Sequence, residues 1–421
     1  MVVVPFVFFT ALTLYLWIRH RNFDVCVYMT ALYAFTAFFS IVLVWGEMLY
    51  GEGGIDFNNG NLKLSATPTF LYCFFIALGI LPFTMIYGRD MKKISARAPL
   101  LIDILCVVLI AEALLNLYLI YDSTSDILSG DLAAIRTDHY EGIISPAGVK
   151  AQSMPAIFRY FYYLNPSTIL ALPIWFYNIS CRNVKWWYNG LLLITSLSVP
   201  LAGIQAADRS ECLFYVLMFL FCYFFFRGMM SRKTKVRLYL VGGVLAVLIT
   251  TYFMAVSVAR FEKRRGGTVE GLIKYTGQNY LNFCYFWEYG KFNLISPERE
   301  FPLTWHYLFD IDSNPERRAV RSGQQGFSIS VFPSYIGEIM IDISPLGMAV
   351  WMFYFFLLCC IIIRSPHRKE MDISEVLAVF MAAEIPVLGI IYFIFYNHIR
   401  SYTLIITLLI YVFSRRKLVY K

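Results

Sequence analysis

The stretch LYLVGGVLAVLITTYFMAVSVARFEKRRGG, residues 238–267, has no charged residue from Leu238 to Ala259, then sets Arg260, Lys263, Arg264 and Arg265 within six positions. About twenty apolar residues are what an α-helix needs to cross the hydrocarbon core. The first part therefore reads as a membrane helix, near 238–257. Basic clusters beside such helices ordinarily mark the cytoplasmic side, and the other charges of the chain test whether this one does.

The composition fits a membrane solvent. Of 421 residues, 59% are hydrophobic, 18% aromatic and 15% charged, where a soluble chain carries about a quarter charged residues. Apolar windows predict about eleven helices, near 2–18, 25–47, 67–88, 99–121, 156–180, 187–205, 210–227, 238–257, 344–363, 375–397 and 399–414. The expected fold class is an all-α polytopic membrane protein. With no internal repeat or linker, residues 1–421 read as a single integral membrane domain. Met1 runs into VVVPFVFF with no basic region before it, so no cleavable signal peptide is expected.

Alternating the sides of these helices places twenty Lys and Arg on one face, in 19–24, 89–98, 182–185, 227–237, 364–369 and 415–421. The other face receives sixteen, of which ten lie in 258–343. Loops longer than about 60 residues largely escape the positive-inside rule, and without that segment the balance is twenty against six. The N-terminus is thus expected outside and the C-terminus inside. The cluster after Ala259 falls outside, so topology does not explain its charge. Segments 122–155 and 258–343 are expected to form the outer part.

Eleven of the sixteen outer cations are arginines, Arg400 among them. A guanidinium keeps its charge and grips phosphate with a planar fork. The excess suits an anionic ligand at the membrane surface, or attraction to anionic headgroups. The sharpest signal is ADRSE, 207–211. Asp208 and Glu211 have capping-box spacing, which leaves Arg209 to be explained. At a helix N-terminus it either holds an anion, with the dipole in its favour, or pairs with Asp208 or Glu211. The aromatic stretch YLNFCYFWEYGKF, 280–292, reads as an interfacial belt or as flat faces for sugar rings.

Glu112 and Glu384 fall mid-window, where an ionisable residue is costly; a hydrogen bond within the bundle is the alternative to a functional role. DID, 310–312, has the spacing of a metal-binding carboxylate pair but no close companion ligands. The nine cysteines are scattered, without disulfide or zinc spacing. No Gly-rich phosphate loop, G-x-S-x-G elbow or H-E-x-x-H is present.

ADRSE, together with AIRTDHY (134–140), NHIRSY (397–402) and QQGFSISVFPSYIGEIMIDISPLGM (324–348), resembles the O-antigen or oligosaccharide repeat-unit polymerases of the Wzy type. The outer start of this chain departs from that family, whose members commonly begin inside. The resemblance implies a glycosyltransferase on the periplasmic side of the bacterial inner membrane, working on polyprenyl-pyrophosphate-linked oligosaccharides in O-antigen, capsule or exopolysaccharide synthesis. It implies a catalytic set of Arg209, Arg136 and His139. Arg260, Arg264, Arg265, Arg317, Arg318, Arg321, Tyr140 and Trp287 would bind pyrophosphate and sugar. His139 is favoured as base over Glu211, His306 and Glu338 only by lying three residues after Arg136.

No metal or cofactor is expected, because arginines can stabilise a leaving pyrophosphate. Expected partners are the bilayer, a chain-length regulator and a flippase, with no nucleic acid. The competing readings are an O-antigen ligase with the same donor, a lipid-linked sugar flippase or transporter, and a metal-dependent lipid-phosphosugar transferase using DID.

The charge balance predicts that an impermeant thiol reagent applied to intact cells labels a cysteine introduced at Gly267 but not one at Ser231. Labelling at Ser231 alone would invert the topology.

Overall fold

Asp24 shows how the first helical hairpin is punctuated. α1 (Val3–His20) ends at Arg21, which adopts left-handed φ 50°, and α2 (Val25–Trp45) begins after Asp24. The Asp24 carboxylate accepts from Cys26 N at 3.0 Å and Val27 N at 3.1 Å, satisfying two backbone donors of the first turn. Its second oxygen meets His20 Nδ1 at 2.5 Å, tying the end of one helix to the start of the next.

This is a computed structural model, and it describes residues 1–46, 48, 64–87, 94–129, 146–182, 184–205, 208–261, 267–292, 323–325, 331–363, 370–391, 393, 395 and 398–416. After α2 come α3 (Ala66–Ile80), the 3-10 turn η1 (Leu81–Phe83), α4 (Thr84–Tyr87) and strand β1 (Ile94–Ser95). Then follow α5 (Pro99–Ser129), α6 (Pro146–Ser153), α7 (Ala156–Tyr163), the 3-10 segment η2 (Asn165–Leu170) and α8 (Ala171–Cys181). α9 (Trp186–Gln205), α10 (Ser210–Phe226), α11 (Arg232–Phe261) and α12 (Gly267–Tyr289) lead to α13 (Ser334–Ile363). Strand β2 (Met371–Asp372), α14 (Ile373–Leu388) and α15 (His398–Arg416) complete the order.

Seven helical stretches among the described residues are long and apolar enough to cross a membrane: Val3–His20, Val25–Trp45, Ala66–Ile86, Pro99–Tyr121, Trp186–Ile204, Arg232–Val258 and Ser334–Ile363. Two shorter apolar helices are Ser210–Phe226 and Ile399–Ser414. The chain is an all-α, multi-pass membrane protein. Leu240, Val244, Val247 and Leu248 of α11 are each more than 60% exposed, as befits a helix whose neighbour is lipid.

Three expected spans have a different form. The window 156–180 is interrupted by η2, where Pro166 disfavours α geometry at Asn165. The window 375–397 stops being helical at Leu388, before Gly389, where an added Cβ would lie 2.2 Å from Ile385 O and 2.5 Å from Tyr335 Cδ1. The window 344–363 starts ten residues early, at Ser334, and is bent ahead of Pro345: Ile343 has φ −122° and Ser344 φ 74°. The apolar periodicity continues through each break, so hydropathy alone does not register it.

The chain folds as two compact units: Met1–Arg89, Lys263–Arg368 and Met381–Ser401 form the first, and Asp90–Glu262, Lys369–Phe380 and Tyr402–Lys421 the second. In the first, α12 packs along α2, and the stretch 280–292 is largely core. Tyr280, Phe283 and Phe286 are buried rather than offered as sugar-binding plates. Tyr72 meets Tyr280 and Phe283 at ring distances of 5.3 and 5.5 Å, and Tyr280 shares a 2.7 Å hydrogen bond with Thr69.

In the second unit Phe176 sits between Phe219 and Phe226, at 5.2 and 5.8 Å. Here β1 and β2 pair in parallel, Ile94 opposite Met371. Asp372 accepts from Arg97 N at 2.7 Å and Ser374 N at 3.0 Å, starting α14.

Gly277 lets α12 approach α2 closely. An added Cβ there would lie 2.5 Å from the backbone of Phe39, and its carbonyl already accepts from Ser40 Oγ at 2.6 Å. Gly277→Ala should lower stability by about 1–3 kcal/mol, the usual cost of overpacking, read as a drop in thermal midpoint of the solubilised protein. Gly243→Ala, where nothing lies within 4 Å, should not lower it, since Ala favours a helix interior by up to ~1 kcal/mol over Gly.

Candidate functional site

Arg209 is placed by the joint between α9 and α10. Asp208 N bonds back to Gly203 O at 2.8 Å, and the Asp208 carboxylate accepts from Ser210 N at 2.9 Å and Ser210 Oγ at 2.6 Å. Asp208 thus holds the turn at Ser210, the first helical residue, and Arg209 stands directly before it. Gly203 makes room: an added Cβ would meet Glu211 Cβ at 2.8 Å.

The Arg209 side chain turns inward and is only 7% exposed. Its Nη1 donates to Ser257 Oγ at 2.6 Å, and its guanidinium lies 5.2 Å from the Phe253 ring centre. Ser257 Oγ gives its own proton to Phe253 O at 2.6 Å, so its lone pairs are turned to Arg209. One of the five guanidinium N–H groups is thereby fixed, and the aromatic face adds a cation–π contact.

Ser257 lies one turn from Arg260, so the start of α10 is beside the end of α11. At the opposite ends Tyr223 and Tyr239 share a 2.6 Å hydrogen bond, which sets the two helices antiparallel. The arrangement is a buried, oriented cation at the N-terminus of α10, where the positive end of the helix dipole lies.

The backbone of Arg260 belongs to the last turn of α11; its side chain lies outside the described residues. So do Arg136, His139 and Tyr140, Arg264 and Arg265, Arg317, Arg318 and Arg321, Asp310, Asp312 and His306. Trp287 is in the first unit, on α12, half-buried with its ring 6.5 Å from Phe283. Among the described residues no group of three or more His, Cys, Asp or Glu could hold a metal ion.

A second polar centre, in the first unit, surrounds two backbone breaks. Ser334 has φ 63° at the start of α13, and Ser344 breaks it ten residues later. Opposite them α14 ends at Leu388. Tyr335 N donates to Gly389 O at 3.0 Å, and Glu338 Oε2 accepts from Phe393 N at 2.5 Å. Asn282 Nδ2 reaches Phe332 O at 3.3 Å. Glu384 Oε1 and Arg400 Nη1 are 2.7 Å apart, both side chains almost wholly buried.

Sequence reasoning singled out Glu384 but set Arg400 among the outer surface cations. The spacing of sixteen residues gave no sign that the two would meet. Glu338 and Asp342, both buried, stand within a segment quoted above for its family resemblance, with no role beyond Glu338 as a rejected base. No protein-family model, curated protein or solved structure matches the chain.

Removing one partner of a buried ion pair leaves an uncompensated charge and costs roughly 3–5 kcal/mol. Glu384→Leu or Arg400→Met alone should lower the thermal midpoint by that equivalent. The double substitution should recover most of the loss, and a double variant as unstable as the sum of the singles would refute direct pairing.

Proposed function

We propose that the chain is a polysaccharide repeat-unit polymerase, joining polyprenyl-pyrophosphate-linked oligosaccharides at the periplasmic face of the bacterial inner membrane. The observation that carries this reading is Arg209: a guanidinium buried at a helix N-terminus and aimed by Ser257. In this reading eleven passages put the N-terminus outside, and the start of α10 and the end of α11 lie at the outer surface. The antiparallel pairing of these helices supports that placement of both ends on one side. The chain then leads from α11 directly into Lys263, Arg264 and Arg265, further cations for the same anion.

The transfer makes one bond and breaks one. An acceptor hydroxyl oxygen bonds to the anomeric carbon of the donor chain, while the bond from that carbon to pyrophosphate breaks. Polyprenyl pyrophosphate leaves with the electron pair, and the hydroxyl proton passes to a base, the role given to His139. Charge grows on the bridging oxygen as the bond breaks, so a fixed guanidinium there stabilises the transition state more than the ground state. Arg136, near His139 in sequence, and Arg317, Arg318 and Arg321 would hold the second pyrophosphate-linked substrate.

Arg209→Ala should abolish long chains in a complemented deletion strain. A charge-assisted contact contributes about 1.5–3 kcal/mol, or roughly 10- to 150-fold in binding, and more where it tightens in the transition state. Arg209→Lys should rescue poorly, because an ammonium lacks the planar fork. Ser257→Ala, which frees the guanidinium without removing it, should be milder. Chain-length distribution is measured beside membrane abundance of each variant. Normal long chains from abundant Arg209→Ala would remove Arg209 from the site. Deletion that leaves single repeat units on lipid A-core marks a polymerase; loss of every lipid A-linked repeat marks a ligase.

A further inference from the structure

The two mid-span carboxyl groups have opposite surroundings. Glu384 is matched by Arg400 at 2.7 Å. Glu112, in the span Pro99–Tyr121 of α5, is 2% exposed and is met by a hydroxyl: Ser167 Oγ donates to its Oε2 at 2.6 Å. Among the described residues it has no ion pair. The elements packed on α5 explain why. α9 and η2 contain no Asp, Glu, Lys, Arg or His. α6 carries Lys150, whose ammonium lies 4.9 Å from the Tyr118 ring centre, and α7 carries Arg159, which is exposed. Of the tyrosines on these elements, Tyr188 of α9 lies near Cys106, six residues before Glu112 on α5, and Tyr162 of α7 packs against Leu119 and Ala151.

The polar groups that surround Glu112 are neutral oxygen and amide donors, gathered at a helix interruption. Ser167 belongs to η2, and Asn165 two residues before it exchanges hydrogen bonds with Ser198 of α9, through Ser198 Oγ and, at 3.4 Å, Ser198 O. Asn116, one turn from Glu112, donates to Glu112 O at 2.9 Å and Phe161 O at 3.2 Å. An uncompensated carboxylate in such a place is very costly. A small cation removes the cost and leaves no gap in the packing. The 3-10 turn beside it departs from regular α geometry, and interrupted helices are where ion sites of membrane proteins commonly lie.

We propose that Glu112 and Ser167 form a membrane-buried site for a monovalent cation, a proton or sodium. The site does not include Arg209 and does not depend on the reading of the substrate. Loading and release change the charge inside the α5–η2–α9 packing by one unit, so the site has two states that a conformational change or a substrate can couple to.

The test uses the full chain in native membranes and dicyclohexylcarbodiimide, an apolar reagent that adds to a protonated carboxyl group. Mass spectrometry should find the adduct on Glu112 and not on Glu384, with Glu112→Gln abolishing it. If the ion is a proton, labelling falls by about tenfold per pH unit above the titration point. If it is sodium, replacing choline by sodium at fixed pH blocks the label.

A second measurement does not depend on reagent access. The thermal midpoint of the wild type should shift with sodium or with pH by an increment that Glu112→Gln lacks, since the amide keeps the Ser167 hydrogen bond and cannot take a cation. A Glu112 peptide recovered unlabelled under all conditions, together with equal sodium and pH responses in wild type and Glu112→Gln, would overturn the site. A Glu112 adduct indifferent to both sodium and pH would overturn it as well.

Discussion

Where a helix stops in apolar surroundings, its last carbonyls must find donors inside the chain, because hydrocarbon supplies none. The end of α14 shows the constraint being met group by group. Ile385 O accepts from Gly389 N, Pro386 O from the Tyr33 hydroxyl of α2, and Leu388 O from Ile391 N. Beyond the break, Gly389 O takes the N–H of Tyr335 from α13, and Glu338 reaches back for Phe393 N. Polar side chains on α2 and α13 are therefore placed by a helix end elsewhere in the chain. Without those partners the segment would have to continue as helix, and the buried pair of Glu384 and Arg400 would not be brought together.

The same constraint orders the second unit. At η2 the backbone leaves α geometry, and Asn165, Ser167 and Thr168 stand there with Ser198, Glu112 and Asn116 on the facing helices. Buried hydroxyls and amides also line regular helices, as Thr30, Thr36 and Ser40 do on α2, but those at η2 face a break in α geometry. Around them the packing is aromatic, with Tyr33, Tyr72 and Phe9 meeting at 5.5 and 6.3 Å in the first unit. Large rings fill volume near a break while a phenolic tip supplies a hydrogen bond.

The arginines serve two purposes that charge alone does not distinguish. Arg400 is neutralised inside the fold, where the pair fixes the start of α15 against the last turns of α14. Arg209 meets a serine hydroxyl and a phenyl face at the start of a helix whose dipole favours an anion.

Composition and period were enough to determine much of the architecture. Long apolar windows without charge, as in 238–259, can only be stable as helices in a lipid solvent, and that physical demand is local to each window. Helix starts are set just as locally: Asp24 and Asp208 act within three residues of their own positions. The breaks in 156–180 and 375–397 were not legible, although Pro166, Pro386 and Gly389 stand there, because a proline or glycine in a span ends the helix only if neighbours satisfy the freed groups. Tyr33 lies 353 positions from Pro386 and Ser167 lies 55 from Glu112. Whether Arg400 faces water or Glu384, and whether Arg209 reaches Ser257, was likewise decided only by tertiary packing, since hydrogen bonds act over about 3 Å and the chain alone does not say which distant residues come within that reach.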